Sequence, residues 1–333
     1  VDLLEGWGYT VSVAHSKDVH AIAMSKSKTD KIDSRILAKL LQSDFLPRAY
    51  VPPKQIREMR ELLRHRIWLG QNAAQVKNRV HALLSTNWVT QEFTDLFGKS
   101  GRQFLTRIEL PELTREVLES LLRQLEAIEQ EIEQIQATMA RQAVWDEDVR
   151  RLMEITGIDF YSAQVIVNEI GDVGRFPSYR ELASYAGLVP SVRNSGETVR
   201  HGHITKEGNR NLRWILVEAG IKAKENNPKL KKTYNRISRR RGKMIARVAT
   251  ARHLLRIIYY MLRDKTEYHN IDLPLYAEKI ERMEDKASLR CMVPKGAKKP
   301  QGHPLKPVPA VEFPKEGSFI KDESMEVSRG SFS

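Results

Sequence analysis

The sequence predicts a mainly helical protein with a small, truncated α/β part at its start. Three observations carry this expectation. Leu118, Leu121, Leu125, Ile128, Ile132, Ile135 and Met139 recur at alternating steps of three and four, a heptad seam within a helix over residues 114–143. Residues 55–84 form a second long helical stretch, apolar at Ile56, Met59, Leu63, Val76, Val80 and Leu83. Residues 9–14 alternate and are rich in β-branched side chains, which reads as a strand flanked by short helical patterns.

Taken in order, residues 1–5 resemble the last turn of a helix, stopped by Gly6 and Gly8. The chain opens in mid-pattern on Val1, so an upstream part is expected to be missing. A short helix over residues 18–24 follows, then a polar loop. Thr29 caps a helix over residues 30–42 whose buried side is Ile36, Leu37, Leu40 and Leu41. Pro47, Pro52 and Pro53 mark a boundary, so residues 1–48 form one unit and residues 49–145 the long helices. Residues 88–111 read as a less regular connection. The heptad seam has two readings, a helical hairpin within one subunit or a coiled coil between subunits. Residues 146–268 form a third unit. In it, residues 151–170 read as helix, glycine turn at Gly157, helix: a helix-hairpin-helix pattern whose amides can meet a phosphate. Residues 176–188 read as helical, 189–205 as a polar loop, and 209–226 and 247–263 as helices. The proline-rich stretch 285–333 has little periodicity and is expected to be disordered.

The 333 residues carry 55 Lys and Arg against 42 Asp and Glu, a formal net charge of +13. That balance favours a polyanionic partner, most often nucleic acid. The single cysteine, Cys291, excludes an internal disulfide framework and a cysteine-built zinc site. The apolar run 254–262 is interrupted by Arg256 and too short for a bilayer, and the start has no signal-peptide pattern. A cytoplasmic location without membrane contact is expected.

Several residues have the chemistry of a site. Asp30 and Asp33 stand three apart at a helix start, which puts both carboxylates on one face, where they can hold Mg²⁺ or Mn²⁺. Acidic residues also favour the first helical turn for its dipole alone. Ser195 precedes Gly196 in a polar loop; it reads as turn chemistry or as a nucleophile activated by a base or metal, with Arg193, Arg200 and Lys206 placed to hold a phosphate and His201 and His203 as acid/base groups or simply polar loop residues. The stretch 202–213, with Lys206 and Arg210, reads as a glycine-bearing loop entering a helix. Arg239, Arg240 and Arg241 either contact phosphates or face solvent on a turn.

Together these segments resemble the DEDD-type transposases of the insertion sequence 110 family, related to the Piv-type DNA invertases. Lys28-Thr29-Asp30 with Asp33-Ser34 and Leu37-Ala38 resembles a "KTD-x-x-DA" element. Residues 60–84 resemble the Arg-rich helix that follows it. Residues 155–176 resemble "GIG…A…EIGD…RF", residues 186–196 "AGL-x-P…SG", and residues 204–213 "ITK-x-GN…LR". The resemblance implies a DNA recombinase with a RuvC-like, ribonuclease-H-fold domain that binds Mg²⁺ through four acids, and a C-terminal transposase domain with a nucleophilic serine. Asp30 and Asp33 match the third and fourth acids, and Ser195 matches the serine. It further implies that the two domains join across subunits of a tetramer guided by an RNA from the element's end. Arg60, Arg64, Arg66 and Lys77 then become candidates to meet that RNA. The family's first Asp and its Glu have no counterpart here, and Ser34 replaces the usual Ala. The alternatives are a non-catalytic nucleic-acid-binding remnant and a metal-dependent junction nuclease.

Overall fold

The computed structural model describes residues 1–22, 29–90, 93–195 and 198–289; for residues 21, 192–195 and 198–201 it describes the backbone alone. Among them the chain is mainly helical, as the sequence predicts, and its one sheet is a two-stranded antiparallel hairpin.

The first segment holds α1 (Asp2–Gly6), α2 (Ser16–Ile22) and α3 (Asp30–Gln42). Thr29 is extended, and its hydroxyl accepts the Ile32 N–H at 3.4 Å, the expected N-cap. The strand expected at residues 9–14 does not form. Ala14 alone bridges to Arg48, where the Ala49 N–H donates to the Val13 carbonyl at 2.7 Å and the His15 N–H to the Pro47 carbonyl at 2.8 Å. A strand needs a neighbour along its length, and no other described segment supplies one. The apolar side of α3 is likewise uncovered: none of its residues is buried, and Leu37 and Leu41 are exposed.

Two prolines lead into α4 (Lys54–Thr86), 33 residues long. The connection that follows contains a helix absent from the sequence reading, α5 (Lys99–Arg107), before α6 (Glu112–Ala143) starts behind Pro111. The helices α4 and α6 pack along each other. Val80, Leu84, Leu105, Leu118 and Leu125 form the core of this pair. The heptad seam of α6 therefore faces α4 of the same chain, and the intrachain hairpin is the reading that holds for Leu118 and Leu125.

The larger core belongs to α7 (Glu147–Met153), α8 (Phe160–Ile170), α9 (Tyr179–Tyr185), α10 (Arg210–Asn226), α11 (Pro228–Arg241), α12 (Lys243–Asp264) and α13 (Leu273–Ser288). Polar N-caps set where most of them begin: Asp146, Asp159, Ser178, Asn209, Asn227 and Asp272 each accept an amide of the first turn. α12 runs through the centre, with Leu254, Leu255, Ile258 and Tyr259 buried against the surrounding helices. The Tyr259 hydroxyl donates to the Phe176 carbonyl at 3.0 Å, so the deepest aromatic leaves no polar atom unpaired.

Three parts of this region differ from the sequence reading. The polar loop at 189–205 is the hairpin of β1 (Pro190–Ser195) and β2 (Thr198–Ile204), paired from Pro190 opposite Ile204 to Ser195 opposite Thr198, with a bulge between Pro190 and Val192. The basic run at 239–241 is the last turn of α11, where cations complement the helix dipole. The stretch from 285 begins inside α13, which continues to Ser288; residues 290–333 lie outside the described residues. No described helix is long and apolar enough to cross a membrane.

Candidate functional site

A buried carboxylate anchors the segment that follows the hairpin. Glu169, near the end of α8, is 1% exposed. Arg64 of α4 donates to both its oxygens, Nε to Oε1 at 2.9 Å and a terminal nitrogen to Oε2 at 2.8 Å. The Asn209 amide donates to Oε2 at 2.7 Å and the Asn211 amide to Oε1 at 3.2 Å. Burial alone would raise this carboxyl's pKa; the hydrogen bonds from Arg64, Asn209 and Asn211 hold it below the ordinary value. Asn209 also caps α10, and its N–H donates to the Tyr185 carbonyl at 2.7 Å. Glu169 thus ties α4 to the segment through which β2 enters α10. Gly208, just before that cap, has φ +109°, and a Cβ there would stand 2.2 Å from the Tyr185 carbonyl oxygen, so only glycine lets the loop pass.

The four α4 cations expected to meet RNA are all engaged within the chain. Arg60 is buried, and its guanidinium donates to the carbonyls of Asn168 at 2.7 Å and Glu169 at 2.9 Å. Arg64 is held by Glu169. Arg66 stacks on the Tyr161 ring at 4.4 Å. Lys77 pairs with Glu129 at 3.4 Å and lies over Phe97. The arginine-rich face of α4 binds its own chain because α8 and α6 supply the carbonyls, carboxylates and rings. Gly157 is likewise explained by packing. Its φ is +86°, and a Cβ would meet the Lys222 Cβ at 2.4 Å, so the α7–α8 turn closes on α10.

Other candidates face outward. Lys206 is exposed, with φ +54°, at the base of β2, and Arg210 is exposed on the first turn of α10. Arg239, Arg240 and Arg241 are exposed at the end of α11 and form no ion pair with a described residue. Ser195 and Arg193 lie on β1; their side chains lie outside what is described. Between the base of this hairpin and α12 opens a cleft of about 770 Å³ that the sequence reading missed. Its two walls, residues 179–206 and 241–256, are at least 35 positions apart, and periodicity says nothing of such meetings.

Asp30 and Asp33 both stand in the first turn of α3, one exposed and the other half-buried. Among the described residues no third histidine, cysteine or carboxylate joins them to make a metal-binding group. Two carboxylates are hard ligands suited to Mg²⁺, yet alone they do not complete a site. No element packs extensively on α3. Lys17 of α2 forms an ion pair with Glu207, just past β2, at 2.6 Å.

Two family models match this chain in the order of these parts. A DEDD-type transposase model of IS110 elements matches residues 1–88, which include Asp30 and Asp33. The transposase model of the IS116/IS110/IS902 family matches residues 149–235, which include Glu169 and the hairpin with Ser195. The chain carries IS110/IS116/IS902-family transposase domains. It is similar to a putative transposase of Sinorhizobium fredii, 30% identical over 57% of this chain and 47% of the relative. It is also similar to an uncharacterized 43.6 kDa protein of insertion element IS110 from Streptomyces coelicolor, 32% identical over 36% of this chain and 30% of the relative. A probable family 20 transposase of Pseudomonas aeruginosa is 25% identical over 72% of this chain and 75% of its own length. The chain thus spans about half the length of the first of these relatives and about a third of the second.

Proposed function

We propose that this chain acts in DNA transposition of an insertion element, with Ser195 as the nucleophile that cuts and rejoins a strand. The observation that carries the reading is the order of the two transposase domain matches, the second of which spans the Ser195 hairpin. In that reaction the serine oxygen forms a bond to the phosphorus of a phosphodiester as the bond to one strand oxygen breaks. The serine's proton ends on the displaced oxygen, and the strand remains attached to the protein as a phosphoserine ester. The exposed Lys206 and Arg210 beside the hairpin are suited to hold the phosphate's charge, with Arg239 to Arg241 further along the DNA.

Domains of the DEDD type are metal-dependent enzymes, and Asp30 with Asp33 would be part of a Mg²⁺ or Mn²⁺ site in a RuvC-like fold, which needs further acidic ligands. A guide RNA and assembly into a dimer or tetramer belong to the same reading. The test is the covalent adduct. With element-end DNA and Mg²⁺, the chain joined to any upstream segment should give a protein–DNA species resistant to denaturant, and Ser195→Ala should give none. Adducts that persist in Ser195→Ala would remove the serine from the reaction. Strand cleavage that survives Ser195→Ala but disappears in Asp30→Asn would favour a junction nuclease that uses water. The net charge of +13 supports a second reading, a nucleic-acid binder without cleavage, which predicts salt-sensitive binding and no adduct under any condition.

A further inference from the structure

The cleft beside the hairpin combines two surfaces of opposite character. Lys206, Arg241, Arg252 and Arg256 stand around it together with His203 and His253, and among the described residues no carboxylate lines it. No described residue forms an ion pair with Lys206, Arg241 or Arg252. Arg256 is turned onto the Tyr179 ring at 5.1 Å. The floor is apolar: Leu188 and Ile204 from the hairpin side, Ile245 and Val248 from α12. Ile245 is 47% exposed and its neighbour Met244 71%, an unusual share for apolar side chains in the first turn of a helix whose centre is so deeply buried.

A purely electrostatic DNA-binding face has no use for such a floor, because a duplex shows a protein its phosphates and its base edges and keeps the faces of its bases stacked. An unstacked nucleotide shows both a charge and an apolar face. A cleft of about 770 Å³ is of the size that encloses a small organic ligand, and it is concave where a duplex is convex. We infer that this cleft takes an unpaired nucleotide, its phosphate against Lys206, Arg241 and Arg252 and its base between Tyr179 and the floor formed by Ile245 and Val248. Its place at the foot of β1 and β2 puts the held nucleotide on the strand that passes the hairpin. The inference rests on the nucleic-acid reading of the hairpin and adds the strand state that it selects. Unpaired DNA and unpaired RNA share this chemistry.

The test is binding, read without cleavage, on the full chain. Fluorescence anisotropy compares one sequence as single-stranded DNA, single-stranded RNA and duplex DNA. At least one single strand should bind about tenfold more tightly than the duplex, and the better of the two names the source. Val248→Trp, which fills the floor, should erase that preference and leave duplex binding intact. Arg241→Gln with Arg252→Gln should weaken strand binding and make its salt dependence shallower by about one to two in the log–log slope. A second readout needs no variant: 2-aminopurine placed at successive positions of the strand should brighten at one position, where the base leaves its stack. Equal affinity for strand and duplex, equal loss of both in a folded Val248→Trp, uniform 2-aminopurine emission, or displacement of the strand by polyglutamate of equal charge would each overturn the inference. Adduct formation at Ser195 without strand preference would sink the cleft and leave the proposed function standing. Strand preference without adducts would do the reverse.

Discussion

Glu169 and Glu154 lie at the ends of neighbouring helices and answer pH in opposite directions. The hydrogen bonds on Glu169 hold its pKa below 4.5 in the folded chain, so it stabilises the fold above that value and loses the contribution as pH falls below it. Glu154 is pushed up to about 7, chiefly by burial, although the Tyr268 N–H donates to it at 2.6 Å. Its contribution is complete below 4.5 and is lost as pH rises through 7. Calorimetry should therefore show a melting temperature that falls toward acid and also declines between about pH 5 and 8. Glu154→Gln should flatten the upper decline, and a decline of unchanged steepness would assign it to another group. Glu169→Ala should cost about 2–3 kcal/mol at neutral pH, below the full cost of breaking a buried pair because Arg64 is half-exposed and can rehydrate. A loss under 0.5 kcal/mol would mean that α4 and α10 hold together without the carboxylate.

At the scale of elements, the turn between α7 and α8 carries its own prediction. Gly157→Ala combines a positive φ with a Cβ placed against Lys222, so it should destabilise by more than about 1 kcal/mol, and Lys222→Gly in the same chain should recover part of the loss. No recovery would mean that the backbone angle alone sets the cost. Elements with local causes were the legible ones. The Thr29 cap, the two long helices and the helix–glycine–helix at 151–170 are written in neighbouring residues. The hairpin was not, because Pro190 and the bulge break its alternation, and its two strands become strands only by pairing. The strand expected at residues 9–14 fails for the same reason in reverse: its alternation is present and its partner is not. Among the candidate site residues, Ser195 and the two aspartates are proposed from sequence pattern alone. Glu169, Tyr179 and Arg252 are not legible in that pattern, since what distinguishes each is a neighbour far along the chain.

For the whole molecule, two cores share the pair α4 and α6. One end of this pair packs with α5, and the other meets α8 and α13. Leu125→Ala should cost about 2–5 kcal/mol, and because the seam closes within one chain the loss should be the same at every protein concentration. A melting temperature of the unsubstituted chain that rises steeply with concentration would point instead to the seam closing between subunits. The carboxylate clamp has a temporal side as well. Arg64 and Glu169 are separated by 105 residues, a costly closure for a free chain. The helical pairing of α4 with α6 takes up most of that separation and brings α8 alongside. Contacts of short range form first, so the long pair must fold before the clamp can close. During synthesis the base of α4 leaves the ribosome with Arg60 and Arg64 unmatched, and it stays so until α8 has emerged. In that interval a nascent chain offers two unmatched guanidiniums to any passing polyanion, RNA included; in the finished protein Arg60 is buried and Arg64, still half-exposed, is engaged by Glu169.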